Sequence, residues 1–220
     1  YGFPKWPPLG VTALLSPLPR LGAILAPRPS VVNAAELPPP RPIGQDGERH
    51  IAVLFGGDSK HYQYQTNDMK ALGDALKRLI AERPEWRVTV FDSRRTNAET
   101  FLPLEYIIAA QPKMDSKRFV DGGLGSNAEA FGADAILVSA DSLSMVHEAL
   151  AAARPVIVVR PKAYRPPRRD RRELRGLVRA GRVVQGTFNT LDAKLIARPT
   201  VVDQISRVDE LADLLRSRGF

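Results

Sequence analysis

From residue 50 onward the sequence predicts an α/β fold, a parallel sheet with helices on both faces, and three observations carry that expectation. Short apolar runs recur that are too continuous to leave one face of a strand in water. Between them lie stretches with apolar side chains three and four residues apart, the spacing of a helix packed on one side. Polar turns rich in glycine and hydroxyl side chains follow the apolar runs, where ligands of such sheets bind.

Ile51 to Phe55 is an apolar run ending in Gly-Gly and reads as the first strand. The spacing of Met69, Leu72, Leu76, Leu79 and Ile80 predicts a helix over 66–82, stopped by Pro84. Trp86 to Phe91 is the second strand, and 97–110 reads as a helix capped by Asn97. A weak strand is expected over 117–120 and a strong one over 135–139. A helix over 143–153, a strand over 155–159 and helices over 171–180 and 202–218 complete the series. Such alternation specifies a Rossmann-like parallel sheet.

Ahead of it, residues 1–49 hold more than half of the nineteen prolines, which discourages helices and central strands. This segment is expected to be a linker or the remnant of another domain, with 21-LGAILAP-27 as one short strand and 10-GVTALLS-16 as a further apolar segment. The expected division is thus 1–49 and 50–220.

The 220 residues allow one good core and an appendage, whereas two full Rossmann-like domains need roughly 300 residues. No apolar run approaches the roughly 20 residues that span a bilayer, so the expected place is the cytoplasm or the inner face of a membrane. There is no cysteine, which excludes disulfides, thiol catalysis and Cys-ligated zinc, and three scattered histidines make a poor metal cage, so no metal is expected. A net charge of +8 and a pI near 10.0 imply an anionic partner: nucleic acid, an anionic membrane surface or a phosphorylated small molecule.

Chemistry is sought in the loops after the strands. In 55-FGGDSKHYQYQT-66, Gly56 and Gly57 let the backbone approach a ligand, and Ser59 and Lys60 offer donors to a phosphate; a plain tight turn is the other reading. His61 is the candidate general base. In 92-DSRRTN-97, Ser93, Arg94 and Arg95 suit a phosphate or carboxylate, or else a solvated loop in which the arginines pair with Asp92 or Glu99. In 121-DGGLGSNAEAFG-132, Asn127 is placed to cap a short helix beside the pocket. The segment 134-DAILVSADSLSMVHEALAAARPVIVV-159 is the most informative. Asp141 or Ser142 is placed to cap its helix, and Asp141, Ser144 and Glu148 are expected to share a face. The helix start suits a diphosphate, and Glu148 suits the two vicinal hydroxyls of a ribose; a solvated glutamate is the alternative. The basic stretch 160–182 has only Tyr164 as an aromatic platform, which makes nucleic acid an unlikely partner. Anionic lipid, donor phosphates or plain solvent remain open for it.

In this order, IAVLFGGDSKHYQY, DSRRT, the Gly/Asn loop and DAILVSADSLSMVHEALAAARPVIVV resemble the mitochondrial-fission (elongated mitochondria) family, which is classed with the two-domain GT-B glycosyltransferases. The match covers residues 50 to about 185 and departs from the family pattern at Ser139, where Thr is usual, and at 126–128, where Asn-Pro-Tyr is usual. The resemblance implies a GT-B donor domain that binds a nucleoside-diphosphate sugar as substrate, with no further cofactor, and transfers its glycosyl group. It places Ser142 and Ser144 near the donor phosphates and Glu148 at the ribose, with Ser139 and Met145 also in the donor-binding element. It also implies an acceptor domain missing from this chain. A noncatalytic scaffold that recruits membrane or protein partners is the alternative reading, and a basic nucleic-acid-binding domain is the second.

Overall fold

In the computed structural model, the structure describes residues 37, 47–119, 127–198, 200–202 and 216–217. Expectations for the Pro-rich segment, for the loop over 121–126 and for most of the helix over 202–218 fall outside the described residues. The elements below belong to one unit, Ser30–Asp203.

Six parallel strands form a single sheet: β1 (Arg49–Leu54), β2 (Trp86–Phe91), β3 (Met114–Lys117), β4 (Ala135–Ser139), β5 (Val156–Arg160) and β6 (Val183–Thr187). Their order is β3-β2-β1-β4-β5-β6. The helices are α1 (Thr66–Glu82), α2 (Ala98–Ala109), α3 (Asn127–Phe131), α4 (Leu143–Ala151), α5 (Arg168–Arg179) and α6 (Ala193–Ile196), with a 3-10 turn at Phe188–Thr190. This is the Rossmann-like α/β fold that the sequence predicts.

Alternation along each strand divides the core in two. Ile51, Val53, Val88, Val90, Leu137 and Ile157 point to one face, where they meet Leu72, Leu76 and Leu79 of α1 and Phe101 and Leu104 of α2. Ala52, Leu54, Ile136, Val138 and Val158 point to the other, against Phe131 of α3, Val146 and Leu150 of α4 and Leu174 of α5. With both faces covered, the strands must be apolar throughout, which is why they were legible as runs.

Most elements lie within two residues of expectation, and three features depart further. The third strand begins at Met114, three residues before the expected start, because Met114 pairs with Val88 and fills the core, while the remainder, Asp-Ser-Lys, carries no apolar pattern. β6 was not anticipated; only Val183 and Val184 of its five residues are buried, too short a run to stand out. Helix α5 starts at Arg168, behind Pro167 in the capping position, where proline's missing N–H costs nothing. Asn97 caps α2 as expected, its side chain accepting from Thr100 N at 3.0 Å.

The chain crosses over in opposite senses on either side of β1 and β4, which leaves a crevice at the carboxyl ends of these two strands. Lower on the same sheet, His50 Nε2 lies 2.9 Å from Thr89 Oγ1, and the His50 N–H donates to Asp134 Oδ2 at 2.8 Å. Burial, with the Arg87 charge next, holds the His50 imidazole below its ordinary value of 6.5, although Glu129 and Asp134 oppose the shift. The unfolded chain therefore takes up a proton that the folded chain resists. The contribution of His50 to stability is full above about pH 6.5 and declines as the pH falls below it. Denaturant titrations across that window are expected to show the decline in the native chain and a flatter profile in His50→Gln.

Candidate functional site

Three loops meet at the crevice, and a buried carboxylate holds them together. Asp141, in the turn after β4, has a side chain with 0% exposure. Its Oδ2 accepts from Arg95 Nη2 at 3.0 Å, from the loop after β2. Its Oδ1 accepts from the Tyr64 hydroxyl at 2.8 Å, from the loop after β1. Ser139, the last residue of β4, adds a further side-chain hydrogen bond. Burial pushes the Asp141 carboxyl above the usual carboxylate range, against the pull of Ser139, Tyr64 and Arg95. Burial and the neighbouring Asp141 charge likewise push the Tyr64 phenol up.

Arg95 reaches two loops at once. Besides Asp141, its Nη1 donates to Asp58 O at 3.0 Å, and the Asp58 N–H donates back to Arg95 O at 3.1 Å. Asp58 Oδ1 accepts from the Tyr64 N–H at 2.8 Å, so the Gly-Gly loop closes on itself before α1 begins. Phe55, Tyr64, Tyr62 and Tyr164 form a chain of ring contacts with centroids 4.6 to 5.2 Å apart. Burial raises the Tyr164 phenol to about 12.

The two glycines are required by this packing. Gly56 donates its N–H to Ser139 Oγ at 2.8 Å and accepts at its carbonyl from the Ser93 hydroxyl. A Cβ on Gly56 would lie 2.2 Å from Asp141 Oδ2 and 2.8 Å from Arg95 Nη2. Gly57 has φ +86°, and its Cβ would lie 2.6 Å from the Arg95 carbonyl carbon.

Around this clamp the remaining sequence candidates fall into two groups. Gly56, Gly57, Ser93, Arg95, Ser139 and Asp141 are joined by the contacts above. Ser142 and Ser144 lie beside them at the start of α4, with their hydroxyl oxygens 3.1 Å apart. Ser142 occupies the capping position of α4, but neither its side chain nor that of Asp141 caps the helix; Asp141 is committed to Arg95 and Tyr64. The face expected to hold Asp141, Ser144 and Glu148 therefore reduces to Ser144 and Glu148, since Asp141 precedes the helix. Glu148 is half-buried and Met145 is buried in the core. Lys60, His61 and Arg94 are exposed at the rim, and Ser59 forms a tight turn with Tyr62, its Oγ accepting from the Tyr62 N–H at 3.2 Å. Asn127 is the first residue of α3. Neither arginine of DSRRTN pairs with Asp92 or Glu99. Asp92 bonds Arg118 Nε at 2.6 Å instead, and Arg118 also pairs with Glu105 and stacks 4.5 Å from the Phe101 ring.

Sequence reasoning missed Asp58, Tyr62, Tyr64 and Tyr164. The alternation Tyr-Gln-Tyr inside an otherwise polar loop was the available signal, since two large rings in a solvated turn have no reason to be there.

Chemically, the clamp leaves the start of α4 uncapped beside the tightly packed Gly56-Gly57 turn. The first N–H groups of α4 have no intrahelical acceptor, and no side chain caps them, so they remain available as donors just beyond the carboxyl end of β4. Among the described residues, no group of three or more His, Asp or Glu side chains could hold a metal ion, and no helix is long and apolar enough to cross a membrane. Gly57→Ala is expected to lower stability by roughly 2–4 kcal/mol, from the contact with the Arg95 backbone and the positive φ together. Chemical denaturation measures this. A loss below 0.5 kcal/mol, the ordinary range for a surface change, would mean that the loop is not held as described.

Comparison with known proteins adds a family and little else. No curated protein matches the sequence. Among solved structures, the S. aureus MnaA-UDP co-structure is similar at 17% identity and TM-score 0.45, over 77% of this chain and 38% of that one. A UDP-GlcNAc 2-epimerase from Neisseria meningitidis bound to UDP-GlcNAc is similar at 16% identity and TM-score 0.47, over 79% and 38%. The calicheamicin glycosyltransferase CalG4 is similar at 12% identity and TM-score 0.46, over 96% and 61%. Likenesses this distant carry no argument of their own, and the chain spans 38% of the length of the first two. The family model described as Mitochondrial fission ELM1, by contrast, matches residues 17–218, nearly the whole sequence, and the chain belongs to that family.

Proposed function

We propose that the chain binds a nucleoside-diphosphate sugar at the carboxyl ends of β1 and β4 and acts as the donor half of a GT-B glycosyltransferase. The observation that carries this reading is the uncapped start of α4, set against the glycine backbone of 56–57 at the switch point of a parallel sheet. A diphosphate there accepts from the free N–H groups of α4 and from the hydroxyls of Ser142 and Ser144. Glu148, further along the helix, accepts from the ribose hydroxyls.

The contacts of Arg95 divide the work between the two neighbouring arginines. Arg95 spends its terminal nitrogens on Asp141 and Asp58 and holds the loops in place. Arg94, exposed at the rim, is the cation that meets the diphosphate, together with Lys60. In the transfer, an acceptor oxygen attacks the anomeric carbon and the bond to the diphosphate breaks, its electron pair passing to the terminal phosphate oxygen. Positive charge and N–H donors around that oxygen stabilise the developing anion. The acceptor proton passes to His61 or to a base of an acceptor domain.

The test is thermal stability of the 220-residue chain against UDP, GDP, ADP and CDP and their sugars. At a ligand concentration one hundred times Kd, one of them is expected to raise Tm by about 5–10 °C. No shift with any of them, in a folded sample, would overturn the donor reading and favour the scaffold. Arg94→Ala is expected to leave the unliganded Tm in place and reduce the ligand shift, while Arg95→Ala should lower the unliganded Tm by exposing the cost of an unpaired Asp141. The reverse pattern would exchange the two roles.

A further inference from the structure

The charge of the chain is concentrated on a helix that the crevice does not use. Arg168, Arg172, Arg175 and Arg179 of α5 recur three or four residues apart, so they form one stripe about 16 Å long on the helix surface. Arg169 and Arg171 flank it, and all six arginines are exposed. Lys162 and Arg165 of the preceding loop are exposed as well. The opposite side of the helix packs inward through Leu174 and Leu177.

This stripe works against the helix that carries it. Arginines three and four apart repel one another, and cations in the first turn oppose the helix dipole. Intramolecular relief is scarce. The two acids of α5 are Asp170 and Glu173, and Glu173 lies 2.7 Å from His147 of α4. Among the described residues, no carboxylate lies within ion-pair distance of the six arginines, and the Nε of Arg175 donates to the Arg171 carbonyl rather than to an acid. Such an arrangement is relieved by an external array of anions.

A second observation selects the kind of array. Of the five large apolar side chains exposed among the described residues, two stand at the carboxyl end of this helix: Val178, 38% exposed, and Val201, 56% exposed. Gly181 joins them, its N–H donating to Val178 O at 3.0 Å and its carbonyl accepting from Val201 N at 2.8 Å. Exposed cations beside exposed aliphatic groups fit the boundary of a bilayer, where guanidinium groups meet headgroup phosphates and aliphatic tips enter the acyl layer. A nucleic acid has no use for the valines. The stripe also lacks the aromatic platforms on which bases stack, because the ring of Tyr164 is buried among the other tyrosines.

We infer that the outer face of α5, with Val178 and Val201 at its end, docks peripherally on an anionic phospholipid bilayer. The site is independent of the nucleotide crevice. Co-sedimentation of the 220-residue chain with vesicles tests it, using phosphatidylcholine alone and an equimolar mixture with phosphatidylglycerol. Binding is expected only to the mixture, and it weakens as salt is raised. Changing Arg172, Arg175 and Arg179 together to Gln is expected to lower the partition coefficient by on the order of a hundredfold. The Tm of that variant should hold or rise, since repulsion has been removed; should it fail to fold, Arg168→Gln with Arg172→Gln serves in its place. Val178→Ser with Val201→Ser should weaken vesicle binding without altering the charge. The inference is overturned by equal binding to neutral vesicles, by no binding to either kind, by undiminished binding of the glutamine variant, or by tighter binding to duplex DNA of arbitrary sequence than to the anionic vesicles.

Discussion

A carboxylate removed from water needs a cation and hydrogen-bond donors around it, and this requirement at Asp141 organises the carboxyl-terminal edge of the sheet. Its partners come from the loops that follow β1 and β2, so three connections distant in sequence become one rigid body. The glycines follow from the same requirement. Gly56 lacks a side chain because the Asp141 and Arg95 head groups occupy that space, and Gly57 lacks one because the Arg95 backbone passes over it. What resembles a flexible glycine loop in sequence is therefore a tightly filled one. Its cost is visible at Asp141, where desolvation outweighs the favourable partners and raises the carboxyl.

How much of this was legible depends on the range of the interactions. The strands and helices of the interior were readable because burial on both faces writes a continuous apolar run into the sequence, as in Ile51 to Phe55 and Ala135 to Ser139. β6 was invisible because an edge strand, packed through Val183 toward α5 and Val184 toward α6, needs only those two residues to be apolar. The third strand was misplaced because only Met114 of its four residues is buried. The strand-end loops were also readable as the place for a site, since glycines, hydroxyls and arginines gather there. Their internal wiring was not. Arg95 and Asp141 are 46 residues apart, and Tyr64 and Asp141 are 77 apart. No local pattern announces which arginine of a pair meets which acid, and the local alternatives, Asp92 and Glu99, were the natural but unused partners.

The same reasoning separates the meanings of the net charge, which composition alone left undivided. Arg95 and Arg118 are consumed inside the fold by Asp141, Asp92 and Glu105, and Arg160 turns back onto carbonyl oxygens of its own loop, with Tyr164 O at 2.8 Å. These cations are structural and create little external field. Among the cations that project outward, two groups stand beside features that select an anion, Lys60 and Arg94 at the rim of the crevice and the stripe on α5; others, such as Lys70, Lys77, Arg78, Lys113 and Lys194, are scattered over the surface. The two groups differ in kind. The rim cations stand near the uncapped start of α4, which suits a small, well-defined anion held at close range. The stripe runs about 16 Å along an exposed helix face beside valines, which suits an extended surface whose phosphates move to meet it. Because α4 and α5 are joined by the His147–Glu173 contact, the helix that presents its start to the crevice is braced against the helix that presents its arginines outward. On the two proposals made above, a small anion at the crevice and an anionic surface at α5 draw on different cations, and neither interaction competes with the other for charge.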